Sequence, residues 1–495
     1  MDIEQFRKAG YQAIDNICDY FYSLGDKPLV SPVEPGYLSK LVPSSAPDAG
    51  EDFDQISDDF KELILPGITP WQHPSFFAYF PTSCTFEGIL GDLYSSSVSN
   101  PGFNWSASPA CTELEVIVMD WAAKLFGLSP AFYNTSEVGG GVIQTTASDS
   151  VLVAVVAARS RYQKAHPNTR IEELVVYTTT QTHALGKKAA LILGLQIRVL
   201  EVSSDDEFGL RGDNLRSSLE KDKQAGLKPF IFIATVGSTS SGAIDNLQEI
   251  GQTLDNYPNI WLHVDAAWAG VALSCPEYRE PLRLADINEY ATSFCTNFHK
   301  WGLVNFDCSG FWVRDRKLLT EALDVTPLYL RTKEGDAGTV IDYRNWQLPL
   351  GRRFRALKVW FVLRSYGVSG FQKHIRECID KNKTFIGLVI NSKYFKLVTE
   401  PSLALTVFRL LPGKESTQAQ TTERLNELNQ IFFDLISSRK DLMLTKTSLN
   451  GEVCIRFVVG SSRTTLDHVI RAYNILEEEA NKALQLWAEP HEVAV

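Results

Sequence analysis

TSFCTNFHKWGLVNFDCSGFWV, residues 292–313, decides the fold. It holds two apolar, β-rich runs, ATSFCTNF and SGFWVRD, separated by a segment that opens on His299-Lys300. An ammonium inside a run that reads as buried sheet must pair, lose its proton or react, because burying it unpaired is very unfavourable. A lysine at a strand end ordinarily points to solvent, so the surroundings of Lys300 decide between these readings.

The same texture continues on both sides. Between about 85 and 370, the runs ELVVYTT, QIRVLEV, FIFIATV, NIWLHVDAA, ATSFCTNF and SGFWVRD alternate with helix-like stretches. Strands that alternate with helices imply an α/β fold, a mostly parallel sheet covered on both faces. Ligands of such sheets sit at the carboxyl ends of the strands. Residues 1–84 mix amphipathic FRKAGYQAIDNICDYFYSL with proline-punctuated PVEPGYL, VPSSAPD and PGITPWQHP, which reads as a helical arm laid on a neighbour. Residues 371–495 offer helices (HIRECIDKNKTFIGLVI, TTERLNELNQIFFDLISS, LDHVIRAYNILEEEANKAL) and strands (ALTVFRLL, EVCIRFVV), a small α+β domain. The expected division is thus 1–84, 85–370 and 371–495.

At 495 residues the chain should bury more than one core. A net charge of -11 with no dense Lys/Arg run argues against broad binding to nucleic acid or to an anionic membrane, so the expected ligand is small. The start, MDIEQFRKAG, is acidic where a secretory signal is basic and then apolar, and no apolar stretch is long enough to span a bilayer. The expected location is cytoplasmic. Eight scattered cysteines without a CxxC pair predict packed thiols rather than a metal centre or disulfide framework. In such a chain the Arg211-Gly212-Asp213 triplet and the glycosylation-type triplets at Asn104, Asn134 and Asn382 are chance matches.

Asp265 ends the apolar strand NIWLHVD, and Lys300 follows the next parallel-type strand. One crossover of that length brings both to the same sheet edge. Upstream, VGGGVIQTTASDSVLVAVVAAR joins a glycine loop to a helix whose first turn is small and hydroxylated, where backbone N–H groups and the helix dipole favour a phosphate. GSTSSGAID at 237–245 has similar character, and His183 follows another strand where it could stack on a ring. An anchored phosphate, an acid facing a ring nitrogen and a lysine able to form a Schiff base together describe a site for pyridoxal phosphate.

VEPGYL, PWQHPSFFAYFPT, SPACTELE, GGGVIQ, HVDAAWAG, HKWGLVNFDCS and DYRNWQLPLGRRFRALKVWFVLRSYG follow one another over most of the chain. On these segments the sequence resembles the pyridoxal-phosphate-dependent aromatic L-amino-acid decarboxylases, within the group II decarboxylases. The resemblance implies Lys300 as the Schiff-base lysine, Asp265 as partner of the pyridine nitrogen, His183 stacked on the ring and Ala267 against its other face. It places the phosphate around Ala147, Ser148, Thr239, Asn297 and His299, and makes Tyr329, on the glycine-rich and charged stretch TPLYLRTKEGDAGTVIDYR, the donor of the proton that replaces the carboxylate. It implies the aspartate-aminotransferase type of fold and a homodimer with active sites at the subunit interface. Phe298 stands where many relatives have proline or a small residue, and Ala184 where serine is common.

Family relatives that convert the same substrates to aldehydes with oxygen typically replace the loop tyrosine by phenylalanine or the stacking histidine by asparagine. Tyr329 and His183 are both present, which favours decarboxylation to the amine over the aldehyde synthase. Glutamate decarboxylase is disfavoured by the aromatic segments, and a catalytically silent scaffold by the intact Lys300, Asp265, His183 and Tyr329. Trp71, Tyr79, Phe80, Phe103 and Trp105 suit a flat aromatic side chain, and Thr82 could meet a ring hydroxyl. Gly351 corresponds to the position where plant relatives tend to carry glycine for indoles and serine for phenols, so tryptophan or 5-hydroxytryptophan is the expected substrate. Animal relatives with glycine there also accept dopa, which keeps catechols open.

Overall fold

The computed structural model describes residues 1–413 and 421–488. Seven strands form the main sheet: β1 (Gly140–Gln144), β2 (Leu174–Thr179), β3 (Gln196–Leu200), β4 (Lys228–Thr235), β5 (Trp261–Asp265), β6 (Ser293–Asn297) and β7 (Ser309–Val313). Their order is β1-β7-β6-β5-β4-β2-β3. β7 runs antiparallel to both its neighbours, and the remaining pairs are parallel. β1 and β6, each antiparallel to β7, therefore point the same way, and every strand except β7 opens its carboxyl end on one edge. β2, β5, β6 and β7 are buried throughout, as expected for apolar runs covered on both faces.

One expectation fails here. The stretch GGGVIQ, read as a glycine loop, contains strand β1. A Cβ on Gly141 would lie 2.6 Å from Trp312 Nε1, and one on Gly140 would lie 2.7 Å from the Trp346 ring. The glycines are there because two indoles press on the strand, not because the chain turns.

The helix Ala147–Ala165 crosses one face of the sheet, and Pro109–Phe126 packs on the other side with β1. The long helix Arg355–Asn391, bent at Gly367 (φ 60°), leads to a second sheet. Its strands are β8 (Phe395–Leu397), β9 (Leu405–Leu410), β10 (Thr445–Leu449) and β11 (Glu452–Val458), all antiparallel in the order β10-β11-β9-β8. Helices Thr422–Ser437 and Leu466–Ala488 cover it, so the expected α+β character of this part holds.

The N-terminal stretch carries helices Ile3–Tyr22, Tyr37–Leu41 and Phe53–Asp59. It then enters the body where Phe77 N donates to Met443 O and Val458 N donates to Phe77 O, a route that delivers Phe80 to the open edge of the main sheet. No helix among the described residues is long and apolar enough to cross a membrane. All eight cysteines are free thiols.

Candidate active site

β6 ends at Asn297, and the chain makes a single helical turn, Phe298–Trp301. That turn is what interrupts the apolar run. It is pinned from two sides: Cys308 N donates to His299 Nδ1 at 2.9 Å, and Ser83 donates through its N to His299 O and through its Oγ to Lys300 O. Phe298 points away into the core against Phe126 and Trp312, so this side chain fills apolar space rather than the site. His299 and Lys300 line a cavity of about 220 Å³ at the carboxyl edge of the sheet.

The register of β5 on β6 pairs Asp265 with Cys295, which brings Asp265 and Lys300 to the same cavity wall. Burial pushes the Lys300 ammonium below its ordinary value, and the Asp265 carboxylate pulls it back up. Burial likewise raises Asp265, opposed by Lys300, by the Ala267 N–H at 3.0 Å from Oδ1 and by His183. Lys300 Nζ has no carboxylate at ion-pair distance among the described residues and lies 5.3 Å from the centroid of Phe80. The lysine is therefore close enough to the acid to be tuned by it, yet its nitrogen is not tied up. His183 stands at the open side, its pKa lowered by partial burial and by Lys300 against the pull of Asp265. His299 is held down to about 4 by burial, which keeps its imidazole neutral.

A second corner of the cavity suits an anion. Ala147 and Ser148 open the helix Ala147–Ala165, whose N-cap Thr146 makes no side-chain capping bond. Unsatisfied N–H groups and the positive end of the dipole meet there. Thr239 faces them from the turn after β4, which starts at Gly237 with φ +80°; a Cβ on Gly237 would stand 2.5 Å from Ala269 Cβ. Thr235 Oγ1 and Asn297 Oδ1 are buried without a partner, a condition rare enough in folded chains to mark the place of a polar ligand.

Phe80 forms the apolar wall. It stacks on Trp268 (4.4 Å, 15°), which stacks on Trp301 (5.0 Å, 10°), and the buried Arg456 guanidinium lies 5.0 Å over the Phe80 ring. The structure thus brings together Ala147, Ser148, His183, Thr239, Asp265, Ala267, Asn297, His299, Lys300 and Phe80. It does not bring the other expected residues to the same chain's cavity. Trp71 stacks on Tyr79 outside it, the Thr82 carbonyl accepts from Gln72, and Phe103 and Trp105 are tied to Arg344 and Asp342. Gly351 is exposed, and Tyr329 is 80% exposed on a projecting segment.

Sequence reasoning missed Thr146, Leu185, Thr235, Gly237 and Trp268 as lining residues. Thr235 was within reach of it: β4 ends at the same level as Asp265, with which Thr235 pairs in register. Trp268 follows Asp265 closely in HVDAAW but reads as core.

Comparison with known proteins bears on the same edge. Residues 35–411 match the model of the pyridoxal-dependent decarboxylase conserved domain. The chain is 44% identical to phenylacetaldehyde synthase of Arabidopsis thaliana, over 98% of this chain and 97% of that one. It is 42% identical to tryptophan decarboxylase 2 of Oryza sativa subsp. japonica, over 98% and 96%. A crystal structure of Oryza sativa TDC with PLP and tryptamine superposes with a TM-score of 0.94 at 34% identity, covering 98% of this chain and 99% of that one. The residues present fit pyridoxal phosphate: a helix N-terminus with free N–H groups, orphaned polar atoms, a buried acid and an untied lysine converge on one cavity.

Proposed function

The chain belongs to the aromatic-amino-acid group of the pyridoxal-dependent decarboxylases, with pyridoxal phosphate as its cofactor, and from that premise we propose that it converts an aromatic L-amino acid to its arylalkylamine and CO2. The observation that carries this reading is the meeting of Lys300, Asp265 and His183 at one cavity beside the N-terminus of the helix Ala147–Ala165. When bound, the cofactor supplies an electron sink for the pair left when the bond from Cα to the carboxylate breaks.

The chain's residues then have distinct tasks. Lys300 Nζ, untied at the cavity wall, is the group that would hold the cofactor. Asp265 would hold a proton on the ring nitrogen, which its carboxylate can do because Lys300, His183 and the Ala267 N–H offset the cost of its burial. His183 and Ala267, both lining the cavity, would flank the ring. The N–H groups of Ala147 and Ser148, with Thr239, Asn297 and His299, would hold the phosphate. Phe80 offers an aromatic surface to the substrate ring.

Tyr329, on an exposed segment, would donate the proton to Cα. With Val325 79%, Leu328 85% and Tyr329 80% exposed, this segment suits closure over the cavity of a second copy in a homodimer, together with the Phe103, Trp105 and Gly351 region. Exposed Ile3, Phe6 and Tyr11 on the first helix give the same dimer an apolar face to cover. Gly351, with no atom within 4 Å of where a Cβ would stand, leaves room for an indole, so tryptophan and 5-hydroxytryptophan are the preferred substrates in this reading.

A second reading is favoured by one observation, the 44% identity to an aldehyde synthase. It requires oxygen and releases peroxide. Aerobic and anaerobic turnover of tryptophan, 5-hydroxytryptophan, dopa, tyrosine and phenylalanine, with amine, aldehyde and peroxide measured together, separates the two. Amine in either atmosphere without peroxide supports the decarboxylase; oxygen-dependent aldehyde overturns it.

A further inference from the structure

Behind Asp265 a row of buried polar side chains runs down β5 and β6 into the core. Register pairs His263 with Ser293 and Asp265 with Cys295, so these four residues share neighbouring positions on two adjacent strands. Trp261 Nε1 donates to Ser293 Oγ at 2.7 Å, Ser293 Oγ lies 2.7 Å from His263 Nδ1, His263 Nε2 lies 3.6 Å from Cys295 Sγ, and Cys295 Sγ lies 3.8 Å from Asp265 Oδ1. Trp261, His263, Ser293 and Cys295 are all fully buried. A row of five polar groups in an apolar core is costly unless each one is satisfied.

The donor inventory fixes the direction of the row. An ionised carboxylate accepts only, so the Cys295 thiol donates to Asp265. Its sulfur is then left to accept, and the proton on His263 sits on Nε2. Nδ1 of the neutral ring must accept from the Ser293 hydroxyl, and that oxygen accepts from the Trp261 indole. Burial holds His263 down to about 3, so the ring carries one proton and no other arrangement satisfies all five groups. Each donor points towards Asp265, and bonds aligned in this way reinforce one another.

We propose that Cys295 and His263 are positioning residues for Asp265, holding Oδ1 in a one-way chain of hydrogen bonds from Trp261 so that Oδ2 alone faces the cofactor's ring nitrogen. The chain opposes the burial of the acid from below, while Lys300, His183 and the Ala267 N–H oppose it from the cavity side. It also explains a thiol in a β-strand core where valine would pack as well. The inference rests on the assignment of Asp265 to the ring nitrogen.

Two measurements test it. In the holoenzyme, the S–H stretching band isolated by subtracting the Cys295→Ala infrared spectrum should lie below those of the other buried thiols, and should rise in Asp265→Asn. Titration of the apoprotein with pyridoxal phosphate, followed by tryptophan fluorescence, should show roughly threefold to tenfold weaker binding for Cys295→Ala, the loss of one weak bond to a charged acceptor. Ser293→Ala, which does not touch Asp265, should shift the S–H band and weaken binding by less.

A Cys295 band that coincides with the other thiols and ignores Asp265→Asn overturns the proposal, as does unchanged cofactor binding in a Cys295→Ala variant whose apoprotein melts normally. If that variant does not fold, the Asp265→Asn minus wild-type infrared difference decides alone. Should Asp265→Ala itself leave cofactor binding and turnover intact, the role of Asp265 falls instead, whatever the thiol reports.

Discussion

Asp265 closes β5 and Lys300 follows the end of β6, so that two opposite charges on adjacent parallel strands open on one cavity without forming an ion pair. The lysine is depressed by burial and restored by the acid; the acid is raised by burial and restored by the lysine. Asp265→Asn removes the charge that compensates both Lys300 and the ring nitrogen. At roughly 3 kcal/mol for a buried charge stripped of its partner, kcat/KM should fall about 10²-fold. Steady-state kinetics and retention of the cofactor on dialysis check this; a variant within threefold of wild type would remove Asp265 from the mechanism.

Tyr329→Phe keeps the ring and deletes the hydroxyl. Since the side chain is 80% exposed, the substitution should leave the melting temperature unchanged. Amine formation should fall while oxygen uptake and peroxide rise, because the proton that ends the decarboxylation path is no longer delivered. Parallel amine and peroxide assays read the partition directly.

A lid that closes over the partner's cavity makes a sharper demand. Tyr329→Phe and Lys300→Ala variants should each be severely impaired in amine formation when expressed alone. Co-expressed and allowed to mix at random, half of the dimers are hybrids, and each hybrid carries one site with both residues intact. Recovery of about a quarter of the wild-type activity is expected on those statistics. No recovery would place the tyrosine in the site of its own chain.

Gly351→Ser tests the substrate preference. No heavy atom lies within 4 Å of the position a Cβ would take, so the fold should tolerate serine at within about 0.5 kcal/mol. The ratio of kcat/KM for tryptophan over tyrosine should drop by roughly tenfold, the range expected when a pocket is reshaped by one small group. An unchanged ratio would separate Gly351 from specificity.

These expectations mark where sequence reading works and where it stops. β2, β4, β5, β6 and β7 were legible because strands buried on both faces need continuous apolar runs, and the runs of β4, β5 and β6 end in residues that line the cavity. β1 was not, since Gly140 and Gly141 were selected by Trp346 and Trp312, which are remote in sequence. Asp265 and Lys300 were legible as charges at the ends of apolar strands. His263, Ser293 and Cys295 were not, because small or weakly polar residues inside a strand look like packing until the register sets them side by side. The surroundings of Tyr329 stayed hidden for a different reason: its segment projects from its own chain, and no pattern along one chain encodes what a second copy would present to it.

The buried histidines set the acid limit of the fold. Burial lowers His263 to about 3, and His299 and His374 to about 4, against an ordinary value near 6.5. Below pH 6.5 the unfolded chain binds protons at these three positions and the native chain does not, so stability falls as the pH drops towards 4. Each such group contributes about 1.4 kcal/mol per pH unit across that window. Asp245 works the other way: burial raises it to about 6, so the native chain takes up its proton before the unfolded chain does, and stability is gained as pH falls through 6. Asp265, also raised by burial, acts in the same sense as Asp245, so two acids oppose the three histidines and the net loss between pH 6 and pH 4 is smaller than the histidines alone would give. Urea unfolding of the apoprotein at pH 7, 6 and 5 should therefore show the midpoint falling only once the pH is below 6.5, and more steeply in Asp245→Asn, which lacks one of the compensating acids. A midpoint that holds steady from pH 7 to 5 even in Asp245→Asn would mean that these histidines, taken together, are not held neutral in the native state.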